Sequence, residues 1–182
     1  VSIRISRQIK GCAENITKDF ASSKGGLLIC GSPCSGKTTI LRDMARLLST
    51  WYGSRVALVD TRGELASVCN GIAQTDIGMC DILDSYPRSQ AIEQAVRSLS
   101  PEYILCDEIG SKEDVNAILN SVNSGVRFVA SIHAGSKQEL LSRKNAEEIL
   151  GTNAFDKIVF LKGREHAGCI KEQYSIQEFC CV

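Results

Sequence analysis

Short apolar runs alternate with amphipathic stretches along most of this chain of 182 residues. The runs have the length of buried strands, whereas the intervening stretches carry apolar residues three and four positions apart, as helices that cover a sheet do. This alternation predicts an α/β fold in three layers, with a mostly parallel sheet flanked by helices. The predicted strands are residues 27–30, 55–60, 103–106, 126–132 and 157–161, with a final edge strand at 169–176.

Helices are predicted at residues 3–20, 37–49, 89–99 and 112–122. A polar run at 22–25 ends the first helix, and residues 65–87 are too irregular for an assignment. The chain opens on Val1 rather than on methionine, so we expect a fragment. The predicted organisation is a helical lead-in at residues 1–24, from a truncated N-terminal region, followed by one α/β domain at 25–182.

The segment between the first predicted strand and the next helix, Gly31–Thr38, matches the pattern G-x-x-x-x-G-K-[ST]. A strand-to-helix turn is the context that this phosphate-binding loop requires, because backbone N–H groups and the helix N-terminus then point at phosphate oxygens. Lys37 is expected to reach the β- and γ-phosphates of ATP or GTP, and the Thr38 hydroxyl to ligate Mg²⁺. The predicted nucleotide-binding residues are Gly31, Ser32, Pro33, Cys34, Ser35, Gly36, Lys37, Thr38 and Thr39.

The apolar strand at 103–106 ends in two acids, Asp107 and Glu108. Many strands end in polar residues, but downstream of a phosphate-binding loop this arrangement is typical of a Walker B motif. Asp107 is then expected to hold Mg²⁺ together with Thr38. Glu108 is expected to orient or deprotonate the attacking water.

Two other strands carry polar groups to the same edge of the predicted sheet. His133 follows the strand at 126–132, where α/β folds bind ligands, and is a candidate sensor of the γ-phosphate or of the water. The strand at 55–60 runs into a charged segment that ends at Glu64. His166 has no such placement, and we expect it to be exposed. Candidate phosphate contacts, for each of which a solvated or structural role is the stronger expectation, are Arg62, Arg88, Arg97 and Arg127.

Composition narrows the class of protein further. Hydrophobic residues make up 43% of the chain, and no stretch approaches the roughly 20 apolar residues that span a membrane. The formal net charge is zero and aromatic residues make up 5%, which disfavours a nucleic-acid-binding surface. The nine cysteines are scattered without a zinc-binding spacing, which favours free thiols in a reducing cytosol.

Several further stretches make the sequence resemble a known family. Residues 60–64, 74–83, 97–101 and 107–110 together are similar to the stage III sporulation protein AA family. The resemblance covers nearly the whole chain. It is more specific than the phosphate-binding loop, which many nucleotide-binding proteins share.

This resemblance implies a RecA-like ATPase of endospore-forming bacteria, related to the motors of type II and type IV secretion. It implies a cytoplasmic protein of the mother cell, peripheral to a membrane complex and assembled as a homo-oligomer, a hexameric ring. Its partners would be membrane-embedded proteins of the sporulation channel that joins mother cell and forespore. ATP rather than GTP, together with Mg²⁺, follows from the same resemblance, and neither direct nucleic-acid binding nor a transmembrane segment is expected.

The chain departs from the family at the acidic segment, which commonly reads D-E-R-S-E and contains Thr61 and Gly63 here. Because threonine has no carboxylate, Glu108 becomes the expected general base and Glu64 the second candidate. The secretion motors carry a histidine segment that matches Ser131–His133. Family members commonly have glycine after this histidine, where this chain has Ala134, a change that leaves His133 usable.

Other functions stay open at this point. A RecA-like ATPase that acts on nucleic acid would share every motif, and stimulation of hydrolysis by DNA would identify it. A transporter-type ATPase would carry an LSGGQ-like segment ahead of Asp107, and residues 98–101 match it poorly. A small-molecule kinase would need an acceptor site and an arginine-rich lid, which the sequence does not show. A nucleotide-binding protein without turnover would not need Glu108.

Overall fold

The computed structural model describes residues 8–180, in which strands and helices alternate as the hydrophobic pattern predicts. The strands are β1 (Gly26–Gly31), β2 (Val56–Asp60), β3 (Val68–Cys69), β4 (Ile72–Ala73), β5 (Asp81–Asp84), β6 (Tyr103–Cys106), β7 (Arg127–His133), β8 (Phe155–Leu161) and β9 (Ile170–Ser175). The helices are α1 (Glu14–Ser22), α2 (Lys37–Thr50), α3 (Arg88–Leu99), α4 (Lys112–Val122), α5 (Lys137–Leu141), α6 (Ala146–Leu150) and α7 (Ile176–Cys180).

One seven-stranded sheet organises the domain, in the order β5-β2-β6-β7-β1-β8-β9. Its neighbouring strands pair in parallel, except that β9 runs antiparallel to β8 at one edge. The carboxyl ends of the parallel strands therefore meet at one edge of the sheet, which is where ligands bind in such folds. The short strands β3 and β4 form a separate hairpin.

Alternate residues of each central strand enter two different cores, one on each face of the sheet. On one face Leu27 and Ile29 of β1 pack with α1 and α2, and on the other Leu28 and Cys30 pack with α3 and α4. Because both faces are covered, the central strands are apolar throughout, as parallel strands buried on both faces are. The predicted three-layer α/β architecture is confirmed.

The predicted first helix is wrong at its start within the described residues. α1 begins at Glu14, and Gly11 adopts a φ of +82°, a left-handed conformation that a helix cannot contain. Residues 3–7 of the predicted helix lie outside the described residues. The other end of α1 is fixed to the sheet by Arg127, whose guanidinium donates to the Phe20 carbonyl at 2.7 Å and lies 4.2 Å from the centre of the Phe20 ring. No helix between residues 8 and 180 is long and apolar enough to cross a bilayer.

Candidate active site

The loop that joins β1 to α2 has the compact shape of a phosphate-binding loop. Cys34 and Gly36 adopt left-handed φ values of +61° and +96°, and the Ser35 N–H donates to the Ser32 carbonyl at 3.2 Å. A Cβ atom on Gly36 would lie 2.6 Å from the backbone nitrogen of Gly168. Glycine is therefore required at position 36 both by its left-handed dihedral angles and by the close approach of the backbone at Gly168.

Gly168 belongs to the turn between β8 and β9, an element that the sequence did not place at the site. The Gly168 N–H donates to the Ser35 carbonyl at 2.8 Å, and Ala167 lines the cleft above the loop. The exposed residue His166 lies in the 3₁₀ turn beside it, as predicted. No sequence signal marked this contact, since a Cβ atom on Gly163 or Gly168 would meet nothing within 4 Å.

Lys37, the first residue of α2, folds back over the loop. Its Nζ donates to the carbonyls of Gly31 at 2.8 Å and Ser32 at 3.0 Å, and lies 3.3 Å from Nδ1 of His133. Burial lowers the pKa of the Lys37 ammonium, although the carboxylates of Asp107 and Glu108 act in the opposite direction. The site therefore holds a partly dehydrated cation, with which no carboxylate of residues 8–180 forms a direct ion pair.

Asp107 follows β6 directly and is held from both sides. One of its carboxylate oxygens accepts the Thr38 hydroxyl at 3.0 Å, and the other accepts the hydroxyl of Ser131 on β7. The hydroxyl of Ser131 also accepts the Glu108 N–H at 3.0 Å. The structure thus brings together Thr38 and Asp107, the two residues predicted to hold Mg²⁺.

Glu108 has a left-handed backbone, with a φ of +51°, and its carboxylate is held at the mouth of the cleft. One oxygen contacts Nε2 of His133, and the other accepts the guanidinium of Arg62. The predicted base and the predicted sensor histidine are therefore direct neighbours. Arg62 is 60% exposed along its side chain, so its ion pair with Glu108 is open to solvent.

Asp60, at the end of β2, supports the charged segment rather than facing the cleft. Its buried carboxylate accepts the backbone N–H groups of Glu64 at 2.8 Å, Leu65 at 3.1 Å and Ala66 at 2.8 Å. The guanidinium of Arg42 on α2 donates to the carbonyls of Leu65 and Glu64. These contacts fold the segment so that Glu64 lines the cleft.

The other candidate arginines have partners away from the phosphate-binding loop. Arg88 pairs with Asp114 at 2.9 Å, and the exposed side chain of Arg97 lies 3.9 Å from Glu93. Arg127 belongs to the opposite end of β7, where it contacts α1. Among the four candidates, only Arg62 contacts a predicted site residue.

The assembled cleft has a volume of about 400 Å³. Its donor set fits a nucleoside polyphosphate, since backbone N–H groups, a helix N-terminus and a lysine all favour phosphate oxygens. The Thr38 hydroxyl and the Asp107 carboxylate are hard oxygen ligands of the kind that Mg²⁺ prefers. Gly31 and Ser32 form the base of the loop, and the cleft is lined by Pro33, Cys34, Ser35, Gly36, Lys37, Thr38, Thr39, Glu64, Glu108, His133 and Ala167.

The chain matches a known protein family over nearly all of its length. The family described as "Sporulation stage III, protein AA" matches residues 1–179. The chain belongs to the stage III sporulation protein AA family. It is 36% identical over 179 residues to "Stage III sporulation protein AA" of Bacillus subtilis strain 168, covering 95% of this chain and 58% of that protein. The chain therefore spans little more than half the length of this curated relative.

Solved structures of bacterial ATPases have a similar fold. The ATPase DotB of Legionella pneumophila superposes with a TM-score of 0.59 at 19% identity, covering 84% of this chain and 46% of DotB. The VirB11 ATPase of the Brucella suis type IV secretion system gives 0.61 at 16% identity, covering 91% of this chain and 52% of VirB11. At these identities the likeness shows the fold alone, and it confirms the three-layer α/β fold class that the sequence predicted.

Proposed function

We propose that this chain binds ATP with Mg²⁺ and hydrolyses it, as the ATPase domain of a secretion-type motor that powers a sporulation channel. The observation that carries the proposal is that Lys37 and Glu108 line one cleft at the carboxyl edge of the sheet, with Asp107 bonded to Thr38 in the lining of that cleft. A phosphate-binding loop alone would support binding. The second acid beside Asp107 supports turnover, because binding of a metal needs only the first.

Lys37 would bind the phosphates of the nucleotide. Its present partners are neutral carbonyl oxygens and an imidazole nitrogen, and burial lowers its pKa. Phosphate oxygens carry negative charge and stabilise a buried ammonium better than carbonyls do. We therefore expect the Lys37 ammonium to leave the Gly31 and Ser32 carbonyls and to donate to phosphate oxygens when a nucleotide binds.

Thr38 and Asp107 would hold Mg²⁺, and their side-chain oxygens lie 3.0 Å apart. Mg²⁺ takes few ligands from the protein where phosphates and water supply the rest, so a hydroxyl and a carboxylate suffice. When bound, this metal neutralises charge on the phosphates. Asp107 stays oriented toward Thr38 because its second oxygen is bonded to Ser131.

Glu108 would orient and deprotonate the attacking water, with Glu64 as the second candidate for this role. His133 and Arg62 hold the two oxygens of the Glu108 carboxylate, so its position at the mouth of the cleft is fixed from both sides. A base fixed in this way loses little orientational freedom when the water is bound. His133 lies between this base and Lys37, where it can respond to an occupied phosphate site.

The test of this proposal is the variant Glu108→Gln, which keeps the shape of the side chain and removes its basicity. We expect hydrolysis to fall by about 100-fold or more while ATP binding stays within about threefold of wild type, so that the variant traps ATP. The matched control is Glu148→Gln, which replaces an exposed glutamate on α6 and should hydrolyse ATP at the wild-type rate. Undiminished turnover by Glu108→Gln would remove Glu108 as the base and direct the same test to Glu64.

We further propose that copies of the chain form a hexameric ring that acts on membrane-embedded channel proteins from the cytoplasmic side, in the mother cell. Family membership and the secretion-ATPase fold support this assembly. The test measures ATPase activity against protein concentration together with the mass of the particle. Activity that rises with ring formation is expected, whereas a monomer with concentration-independent turnover would argue against the motor.

The ATPase assay, repeated with added DNA, distinguishes this motor from the alternative function, an ATPase that acts on nucleic acid. That function predicts hydrolysis stimulated by DNA, with a stimulation that salt suppresses because phosphate contacts release counterions. We expect rates within about twofold with and without single-stranded DNA at low salt.

A further inference from the structure

We infer that Ser131 is a positioning residue that orients the metal-holding acid and the catalytic base together, through a single buried hydroxyl. This inference rests on the proposed hydrolysis and assigns a task to a residue that the motifs alone left without one. Ser131 lies on β7, two positions before His133 and beside the end of β6.

The Ser131 hydroxyl uses both of its hydrogen-bonding capacities on neighbouring acids. It donates to one carboxylate oxygen of Asp107 and accepts the backbone N–H of Glu108 at 3.0 Å. Ser131 is 0% exposed, so it has no surface with which to contact a nucleotide or a water in the cleft. Its effect on the chemistry must therefore act through Asp107 and Glu108.

The Asp107 contact determines which carboxylate oxygen faces the metal position. One oxygen is bonded to Ser131, which leaves the other to face Thr38 at 3.0 Å. Without the serine hydroxyl the carboxylate could rotate about its Cβ–Cγ bond, and both oxygens would change their direction. Polar groups that hold a metal-binding carboxylate in this way typically contribute about 10- to 100-fold to metal affinity or activity.

The Glu108 contact holds a backbone conformation that is unfavourable by itself. A φ of +51° places Glu108 in the left-handed region, which is unfavourable for a residue with a side chain. Two bonds to Ser131 offset this cost, one from the Glu108 N–H to its hydroxyl and one from the Ile109 N–H to its carbonyl at 2.9 Å. This turn of the backbone carries the Glu108 carboxylate to His133.

Strand β7 thus supports Glu108 at two points. Ser131 and His133 are two residues apart and face the same side of the sheet, the side covered by α2 and its phosphate-binding loop. Ser131 holds the backbone of Glu108, and His133 holds its carboxylate. The register between β6 and β7, in which Cys106 pairs with Ala130, places both supports next to the acids.

A purely structural serine would behave differently. Its removal would lower the stability of the domain without changing how much Mg²⁺ the enzyme needs. Ser121 on α4 offers this comparison, because it is also buried and its hydroxyl donates to the Ala117 carbonyl one turn earlier in its own helix. Ser121→Ala is therefore the matched control.

The experiment compares Ser131→Ala, Ser131→Cys and Ser131→Thr with Ser121→Ala in the full chain. The cysteine variant keeps the packed volume with a weak donor and acceptor, and the threonine variant keeps the hydroxyl. The measurements are kcat, the Mg²⁺ concentration for half-maximal activity, the Kd of ADP without Mg²⁺, and the melting temperature. The cysteine and threonine variants carry the comparison if the alanine variant does not fold.

We expect Ser131→Ala and Ser131→Cys to lower kcat by about 10- to 100-fold and to raise the half-maximal Mg²⁺ concentration by about fivefold or more. The affinity for Mg²⁺-free ADP should stay within about twofold, because the loop and Lys37 are untouched, and Ser131→Thr should recover most of kcat. The inference is overturned if Ser131→Cys hydrolyses ATP normally, if Ser131→Thr is equally impaired, or if the Mg²⁺ requirement does not change. A wild-type chain without hydrolysis would instead overturn the proposed function.

Discussion

His133 and Glu108 are joined side chain to side chain, Nε2 of the imidazole contacting a carboxylate oxygen across the ends of β7 and β6. The other ring nitrogen of His133, Nδ1, lies 3.3 Å from Nζ of Lys37. One ring therefore connects the proposed base to the proposed phosphate-binding lysine. This relationship makes the histidine the first position at which the site can be tested.

We expect His133→Ala to lower kcat by about tenfold or more with a smaller change in the Kd of ATP, because the Glu108 carboxylate loses a contact that orients it. Steady-state hydrolysis and equilibrium nucleotide binding measure the two quantities separately. His166→Ala is the control, since His166 is exposed and should leave both unchanged. A His133→Ala variant with wild-type kcat would show that Arg62 alone suffices to hold Glu108.

Asp60→Asn should destabilise the domain by about 2 kcal/mol, because a buried carboxylate that accepts backbone N–H groups from Glu64, Leu65 and Ala66 becomes an amide with one acceptor oxygen. Urea denaturation followed by circular dichroism gives the free energy of unfolding. Asp81→Asn, on the exposed start of β5, should change that free energy by less than about 0.5 kcal/mol. Equal losses in both variants would contradict the assigned role of Asp60.

Gly36→Ala should weaken ADP binding by about tenfold or more, because the added Cβ would lie 2.6 Å from the Gly168 nitrogen and the loop would have to shift. Gly71→Ala is a matched control with a φ of +77° and open space around the added atom. That control shares the left-handed strain, of about 1 kcal/mol, without the collision. It should destabilise the domain and leave ADP affinity unchanged; similar affinity losses in both variants would refute the collision.

Thiol labelling should distinguish the loop cysteine from the buried ones. Cys34 is exposed in the cleft, whereas burial raises the pKa of Cys80 to about 11 and of Cys106 to about 12, so both stay protonated and unreactive at pH 8. We expect iodoacetamide to label Cys34, and ADP to slow that labelling by about fivefold or more. Peptide mass mapping would follow it, with exposed Cys69 as the internal control. Equal labelling of Cys34 with and without ADP would argue against nucleotide on this loop.

Much of the fold could be predicted because its central strands are continuous apolar runs followed by motifs of fixed spacing. β1 and β6 lie within a residue of their predicted bounds, and Thr38 lies in contact with Asp107, the residue predicted to share Mg²⁺ with it. Strand β5 could not be predicted from residues 81–84, where Asp81 and Asp84 enclose an apolar run of only two residues. Its stability comes from pairing with β2, which is distant in sequence.

The contacts that hold the site residues in place could not be predicted either, because they too join residues that are distant in sequence. The contacts from Gly168 to Ser35 and from Arg42 to Leu65 join residues that no local pattern relates. The left-handed turn at Glu108 likewise depends on Ser131 in another strand. Sequence patterns identified the groups expected to do chemistry, whereas tertiary contacts determine how those groups are aimed.

The bond between Gly168 and the Ser35 carbonyl has a mechanical consequence. β9 is one of the two edge strands of the sheet, and the turn that leads into it contacts the phosphate-binding loop directly. A force on that turn would reach the loop through the 2.8 Å bond from Gly168 to Ser35 and through the close approach of Gly168 to Gly36. A displacement of the turn would therefore strain this bond or shift the Ser35 carbonyl, so the sequence between β8 and β9 bears on the shape of the proposed nucleotide-binding loop.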